Sequence, residues 1–268
     1  MASISGVVFY EGPSRIDGQP IVGIATFNSK NEKTGPIVQT WIIRSDIHPN
    51  QAIDTGADKS VCGSCPLRGL IRPASEITDK RKIVLTPTVN KGRSCYVLVQ
   101  QAPAAIYKAY KAGKYPKMNK RLAKKMQNKG LRYGSYGDPV SIPIPVWEQL
   151  KSYCTGKAEP GYTHQWRNPK FAPWRKMVMA STHTVNENEL AASKGWRTFR
   201  TITNVNEISP LEIICPASPE GGFKADCATC GACNGRRSNE DMRRNVAIVA
   251  HGSGGKTGLV AKVIAAKA

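Results

Sequence analysis

From about residue 131 onward the chain repeats one pattern. An apolar, strand-like run ends on a polar and often ionisable side chain, and a loop or helix then returns. The run 131–134 leads through Ser135, Tyr136 and Gly137 to Asp138 and Pro139. Residues 161–163 lead to His164, 177–180 to Ser181, Thr182 and His183, 211–214 to Cys215, and 245–250 to His251. Helices are expected at 146–153 and 186–194, the second returning to the run 196–200. Strands alternating with helices favour a parallel sheet. Polar residues at the C-terminal ends of successive strands are what a (β/α) barrel gathers at its mouth. Only about eight residues separate the run ending near Thr201 from Leu211, too few for a full crossover helix. The expected fold is therefore α/β, an irregular or incomplete (β/α) barrel-like domain over 61–268 that carries cysteine-bound metal loops. Residues 1–60 read as a β-rich N-terminal segment packed on that domain. Within it, 6–10, 21–27 and 37–43 are β-branched and aromatic runs divided by turn-rich pieces such as 28–35. The stretch 95–100 reads as a short apolar strand, and 107–126 as a basic helix.

The chain has 268 residues and 29.2 kDa, ample for a core. Hydrophobic residues at 40% and charged ones at 22% place it with globular rather than disordered sequences. No apolar run approaches the roughly 20 residues that span a bilayer. The start, MASISGVVFY, has no basic lead before a long apolar stretch, so no signal peptide is expected. The expectation is a cytoplasmic protein.

In a reducing compartment, clustered thiols read as metal ligands rather than disulfides. Seven of the eight cysteines fall into two groups. The first signal is Cys215-Pro216, an eleven-residue spacer, and then Cys227-x-x-Cys230-x-x-Cys233. Thiolates are soft ligands for zinc or iron–sulfur clusters. Zinc sites usually take cysteines as two separated pairs, whereas three at successive three-residue steps with a distal Cys-Pro fit a cuboidal cluster better. This run resembles bacterial ferredoxin-type [4Fe-4S] binding, with the Cys-Pro placed before the triplet instead of after it. Ala228, Gly231, Ala232 and Gly235 would let the backbone wrap closely. The expected cofactor is one [4Fe-4S] cluster, with zinc as the alternative. The second group is Cys62, Cys65 and Cys95. Three ligands leave a fourth position open to Cys154, a histidine, water or substrate, so a second cluster or a zinc knuckle can be placed there. A three-cysteine cluster with one open iron, together with the phrase 132–139, resembles radical S-adenosylmethionine enzymes. That family's C-x-x-x-C-x-x-C loop is absent.

Of the four histidines, His164, His183 and His251 end strand-like runs, as Asp138 does. These four are the candidate acid–base or ligand groups at a barrel mouth; His48 stands apart. The phrase 250–257 satisfies the loose form of a phosphate-binding loop, making Gly252, Gly254, Gly255 and Lys256 a candidate anion site.

Lys and Arg total 39 against 19 Asp and Glu, a net charge of +20. Between Lys108 and Arg132 lie ten basic residues in 25 without one carboxylate, interleaved with tyrosines. Cations neutralise phosphates and release counterions, and tyrosines stack on bases. Lys117, Lys120, Arg121, Lys124, Lys125 and Lys129 are the candidate nucleic-acid contacts, DNA or RNA. Arg197, Arg200, Arg236, Arg237, Arg243 and Arg244 are candidates to extend that surface.

The phrases at 62–68, 161–166, 195–200 and 215–235 are similar to those of uncharacterised cysteine-rich proteins of phages and prophages, a resemblance that implies no activity. The leading expectation is an iron–sulfur metalloprotein of phage type that engages nucleic acid through its basic face. The alternatives are a metal- or [4Fe-4S]-dependent enzyme with a barrel-mouth active site, and a zinc-stapled nucleic-acid-binding protein.

Overall fold

Short β-branched runs punctuated by glycine and proline give short strands, and the computed structural model has eleven of them among the described residues. These are 4–29, 31–73, 88–91, 93–250, 258, 260–262 and 265. The first three strands, β1 (Gly6–Pro13), β2 (Pro20–Thr26) and β3 (Val38–Arg44), form an antiparallel meander. Then come helices α1 (Pro49–Thr55) and α2 (Lys59–Cys62), and the hairpin of β4 (Leu70–Pro73) with β5 (Thr88–Lys91). Helix α3 (Ala102–Lys111) and the one-turn α4 (Lys120–Ala123) precede β6 (Leu131–Tyr136), which returns parallel to β3. From there every pairing among the described strands is parallel.

The second half comprises α5 (Ile144–Ser152), β7 (Tyr162–Thr163), β8 (Met179–Thr182), α6 (Val185–Ser193) and β9 (Thr198–Ile202). It ends with β10 (Glu212–Ile214), α7 (Cys227–Cys230) and β11 (Asn245–Val249). The sheets run β1-β2-β3-β6 and β10-β11-β9-β8-β7. A parallel bridge, Tyr133↔Gly161, joins β6 to the start of β7, so the two sheets form one array. The array is α/β with parallel strands in nearly sequential order. Among the described strands β1 and β10 lie at opposite ends of it and do not pair, so no closed barrel forms among them.

The tight spacing after β9 has a simple resolution. β10 does not lie beside β9; β11 is inserted between them. The connection needs only a 3-10 turn, Val205–Glu207, held by a capping box between Asn204 and Glu207. Two other expectations are corrected. Residues 95–100 form bends and turns, not a strand, because the flanking loops leave them no partner ladder. The basic segment 107–126 is not one helix: α3 stops at Lys111, Gly113 takes a positive φ of 67°, and the chain runs extended along β1 before α4. There Lys117 bridges Val8, and Met118 donates to the Val8 carbonyl at 2.9 Å.

Side-chain alternation divides the parallel sheet into two faces. Tyr133, Val178, Ala180, Ala191 and Trp196 join the large core shared with β1–β3, α3 and α5, centred on the buried Trp147. The opposite face carries Tyr162, Met179, Phe199, Val246 and Ile213. These form a second, smaller core with Cys215, Cys227 and Cys233. The parallel register sets Tyr162 beside Met179 and, two residues further along β8, aligns Phe199, Val246 and Ile213 in one row. The segment 215–235 therefore covers the face that the helices leave open.

Candidate metal centres

The segment that carries the cysteine triplet is fixed at many points. Cys215 leaves β10 with its N–H donating to the Ala247 carbonyl at 2.8 Å, and Cys227 N–H donates to the Lys33 carbonyl at 3.0 Å. Asp226 caps α7 by accepting from Thr229 N–H. Gly231 ends that turn at a φ of +61°, where a side chain would be strained. Beyond Cys233, the buried Arg197 donates to the carbonyls of Ala232 and Asn234 at 2.8 and 2.7 Å. The Asn234 side chain spans Glu159 N–H and the Lys157 carbonyl. Gly235 passes so close to Lys176 that a Cβ there would lie 2.6 Å from the carbonyl. The result is a small cleft whose lining includes Cys215, Cys227, Cys230 and Cys233 together with Pro160 and Pro216. Burial pushes the Cys227 thiol up to about 11 and Cys233 to about 12, and raises Cys215 as well. Tyr162 lies beside Cys233, and Arg132 and Lys33 place positive charge beside Cys227.

The second group lies over the C-terminal ends of β6, β7 and β8. Asp138, which ends the turn after β6, is buried. Its Oδ2 accepts from Thr163 Oγ1 at 2.9 Å, His164 N–H at 3.0 Å and Gln165 Nε2 at 3.4 Å, and its Oδ1 accepts from Val140 N–H. Burial lifts this carboxyl to about 6 even against those hydrogen bonds. Gln165 reaches on to the Cys62 carbonyl and accepts from Ser64 at both N–H and Oγ, which ties the Cys62–Cys65 turn to β7. Gly63 makes this possible: its φ is +57°, and a Cβ would stand 2.4 Å from the Gln165 amide. From below, buried Asp58 accepts from Arg68 at 2.5 and 3.1 Å and from Arg93 at 3.2 Å.

This frame brings His164 Nε2 to 3.3 Å from His183 Nε2 and 3.9 Å from Cys65 Sγ, with the imidazole planes 15° from parallel. His183 is positioned by its N–H, which donates to Glu187 at 2.7 Å. Cys62, Cys65 and Cys95 adjoin one another closely enough for each charge to oppose the next. Burial sets Cys65 at about 12 and Cys62 well above the ordinary thiol range. Arg93 supplies the compensating positive charge. Among the described residues no three Cys, His, Asp or Glu side chains already surround a single point as ligands of one ion.

Of the sequence candidates, Asp138, His164, His183 and Cys65 thus meet at one place. Cys154 is elsewhere, buried in the main core beside Lys151. His48 is a structural residue: it caps α1 and packs edge-on against Tyr107. His251 and the anion candidates Gly252, Gly254, Gly255 and Lys256 lie outside the described residues. Lys117, Lys120, Arg121, Lys124 and Lys125 are exposed. Lys125 donates to the Ile4 carbonyl, and Lys129 reaches back to the Phe27 carbonyl at 2.7 Å. Two arginines do not extend this surface. Arg197 is buried on carbonyls, and Arg200 is buried in an ion pair with Glu212 at 2.6 Å. Gln165, Gly63, Arg93 and Arg132 escape sequence reading. Gln165 alone has a signal, its place at the same strand end as His164.

No family model matches this sequence, and neither does any curated protein or solved structure.

Proposed function

We propose that this chain is a cysteine-ligated iron–sulfur protein of phage type, with one cluster held by Cys215, Cys227, Cys230 and Cys233, and that its lysine-rich face engages nucleic acid. One observation carries the reading: four thiols from two separated stretches of sequence line a single pocket. Among the described residues no three Cys, His, Asp or Glu side chains are already placed to hold one ion. A single zinc asks for thiolates about 3.8 Å apart, whereas a cluster several ångströms across accepts a wider set. Raised thiol pKa values mean that sulfur without a cation beside it stays protonated, and a bound cation replaces those protons. Arg132, Lys33 and the Tyr162 hydroxyl are of the kind that offsets the negative charge of a thiolate cluster. Such a cluster is structural or redox-responsive. For the nucleic-acid part, the support is the exposed set Lys117, Lys120, Arg121, Lys124 and Lys125 without a neighbouring carboxylate in sequence.

Anaerobic purification with iron, sulfide and zinc determination tests the cluster. The expected result is about four irons and four sulfides per chain with broad visible absorption, lost in Cys230→Ala. Zinc without sulfide in the unaltered protein would overturn the iron–sulfur reading in favour of a zinc-stapled protein.

A further inference from the structure

We infer that His164, His183 and Cys65 form a second and separate centre, a mononuclear tetrahedral site for zinc or a similar divalent transition metal at the strand-end mouth. The argument is geometric. Zinc bonds to imidazole at 2.0–2.1 Å and to thiolate at about 2.3 Å, so tetrahedral angles set N to N at about 3.3 Å and N to S at about 3.6 Å. The two Nε2 atoms stand at 3.3 Å, and Cys65 Sγ lies 3.9 Å from His164 Nε2. Because no three groups among the described residues yet surround one point, metal uptake has to draw the Cys65 sulfur inward by a few tenths of an ångström. Two neutral imidazoles can also share a proton at 3.3 Å. That accounts for the nitrogens but not for the Cys65 sulfur beside them, and of the two thiols that adjoin Cys65, Cys62 or Cys95 is to supply the remaining donor.

The ligands are held from behind. Asp138 fixes the His164 backbone, Glu187 fixes that of His183, and Gln165 fixes the cysteine turn. Mixed imidazole and thiolate donors suit zinc and its neighbours rather than magnesium or calcium. The site shares no residue with the 215–233 pocket, so it stands or falls independently of the cluster.

The test uses the full chain carrying Cys230→Ala, which removes the other centre, titrated with Zn²⁺ against a chromophoric chelator and with Co²⁺ followed by absorption. One tightly bound Zn²⁺ per chain is expected, as is a tetrahedral Co²⁺ spectrum with thiolate-to-metal charge transfer. His183→Gln and Cys65→Ser should each weaken Zn²⁺ binding by about 100-fold or more, and Cys65→Ser should reduce the charge-transfer band. Circular dichroism and urea unfolding would confirm that the variants fold. If either fails to fold, the Co²⁺ spectrum of the Cys230→Ala chain decides alone. A weak octahedral spectrum, no Zn²⁺ uptake, or uptake indifferent to His183 and Cys65 would overturn the site.

Discussion

Gly63 shows how much of this protein depends on single residues. It combines a left-handed backbone with a side-chain position already filled by the Gln165 amide. Gly63→Ala must therefore strain the backbone and displace the hook between the cysteine turn and β7. A loss of about 1–3 kcal/mol is expected from the strain, measured as a lower urea midpoint. The buried pair of Arg200 and Glu212 makes a sharper case. Burial pushes the Glu212 carboxyl up, but the Arg200 hydrogen bonds and those from Ser209 N–H and Asn188 hold it below its ordinary value. A carboxyl depressed by folding stabilises fully above its unfolded pKa, and that contribution disappears as pH falls through the folded pKa. Stability should therefore decline on acidification below the ordinary carboxylate range. Arg200→Met leaves the carboxylate buried without its cation and should cost about 3–5 kcal/mol near neutral pH. Lowering the pH should then recover part of the loss, because protonation removes the buried charge. Urea unfolding of both proteins between about pH 3 and 7 checks the sign. Equal pH profiles would contradict it.

At the scale of elements, the basic segment is a sequence of parts rather than one helix. α3 packs on the main core, an extended piece runs beside β1, and α4 displays its cations outward. In the proposed nucleic-acid contact, exposed lysines on a pinned backbone would meet phosphates as a fixed array, each neutralised phosphate releasing a counterion. Replacing Lys120, Arg121, Lys124 and Lys125 together by alanine should weaken duplex binding. It should also reduce the slope of log K against log salt by roughly 0.9 for every phosphate no longer neutralised. Fluorescence anisotropy at several salt concentrations reads both quantities, and an unchanged slope would remove residues 120–125 from the proposed contact. The other notable element is the edge strand β10. Three residues long, it is covered by the cysteine segment that follows it.

The whole molecule has two cores of unequal size on opposite faces of one sheet. The larger needs only apolar side chains. The smaller counts Cys215, Cys227 and Cys233 among its members, so its integrity is tied to whatever holds those thiols together. If the proposed cluster is held there, removing it should act locally. Hydrogen exchange of the metal-free form should show lost protection in β10 and β11 while β1, β2 and β3 stay protected. Uniform loss would mean that the two cores unfold as one unit.

Much was determined by the sequence alone. The apolar runs and their polar ends located most strands to within two or three residues, because short β-branched and aromatic runs bounded by turn residues favour extended backbone. The same pattern placed Asp138, His164 and His183 at adjacent strand ends, which parallel strands in sequential order then bring together. The cysteine spacing identified which thiols share a pocket, since a short loop leaves few alternatives. Other features only the tertiary structure decided. That β11 inserts between β9 and β10 depends on pairing between residues 33 and 47 positions apart, which local pattern does not encode. That Cys65 meets His164 depends on Gln165, Gly63 and the Asp58 clamp, interactions that reach across up to about 100 residues. Arg197 and Arg200 are the clearest instance. Their charge reads as surface in one dimension, yet carbonyls and a carboxylate folded around them take the place that water would have filled.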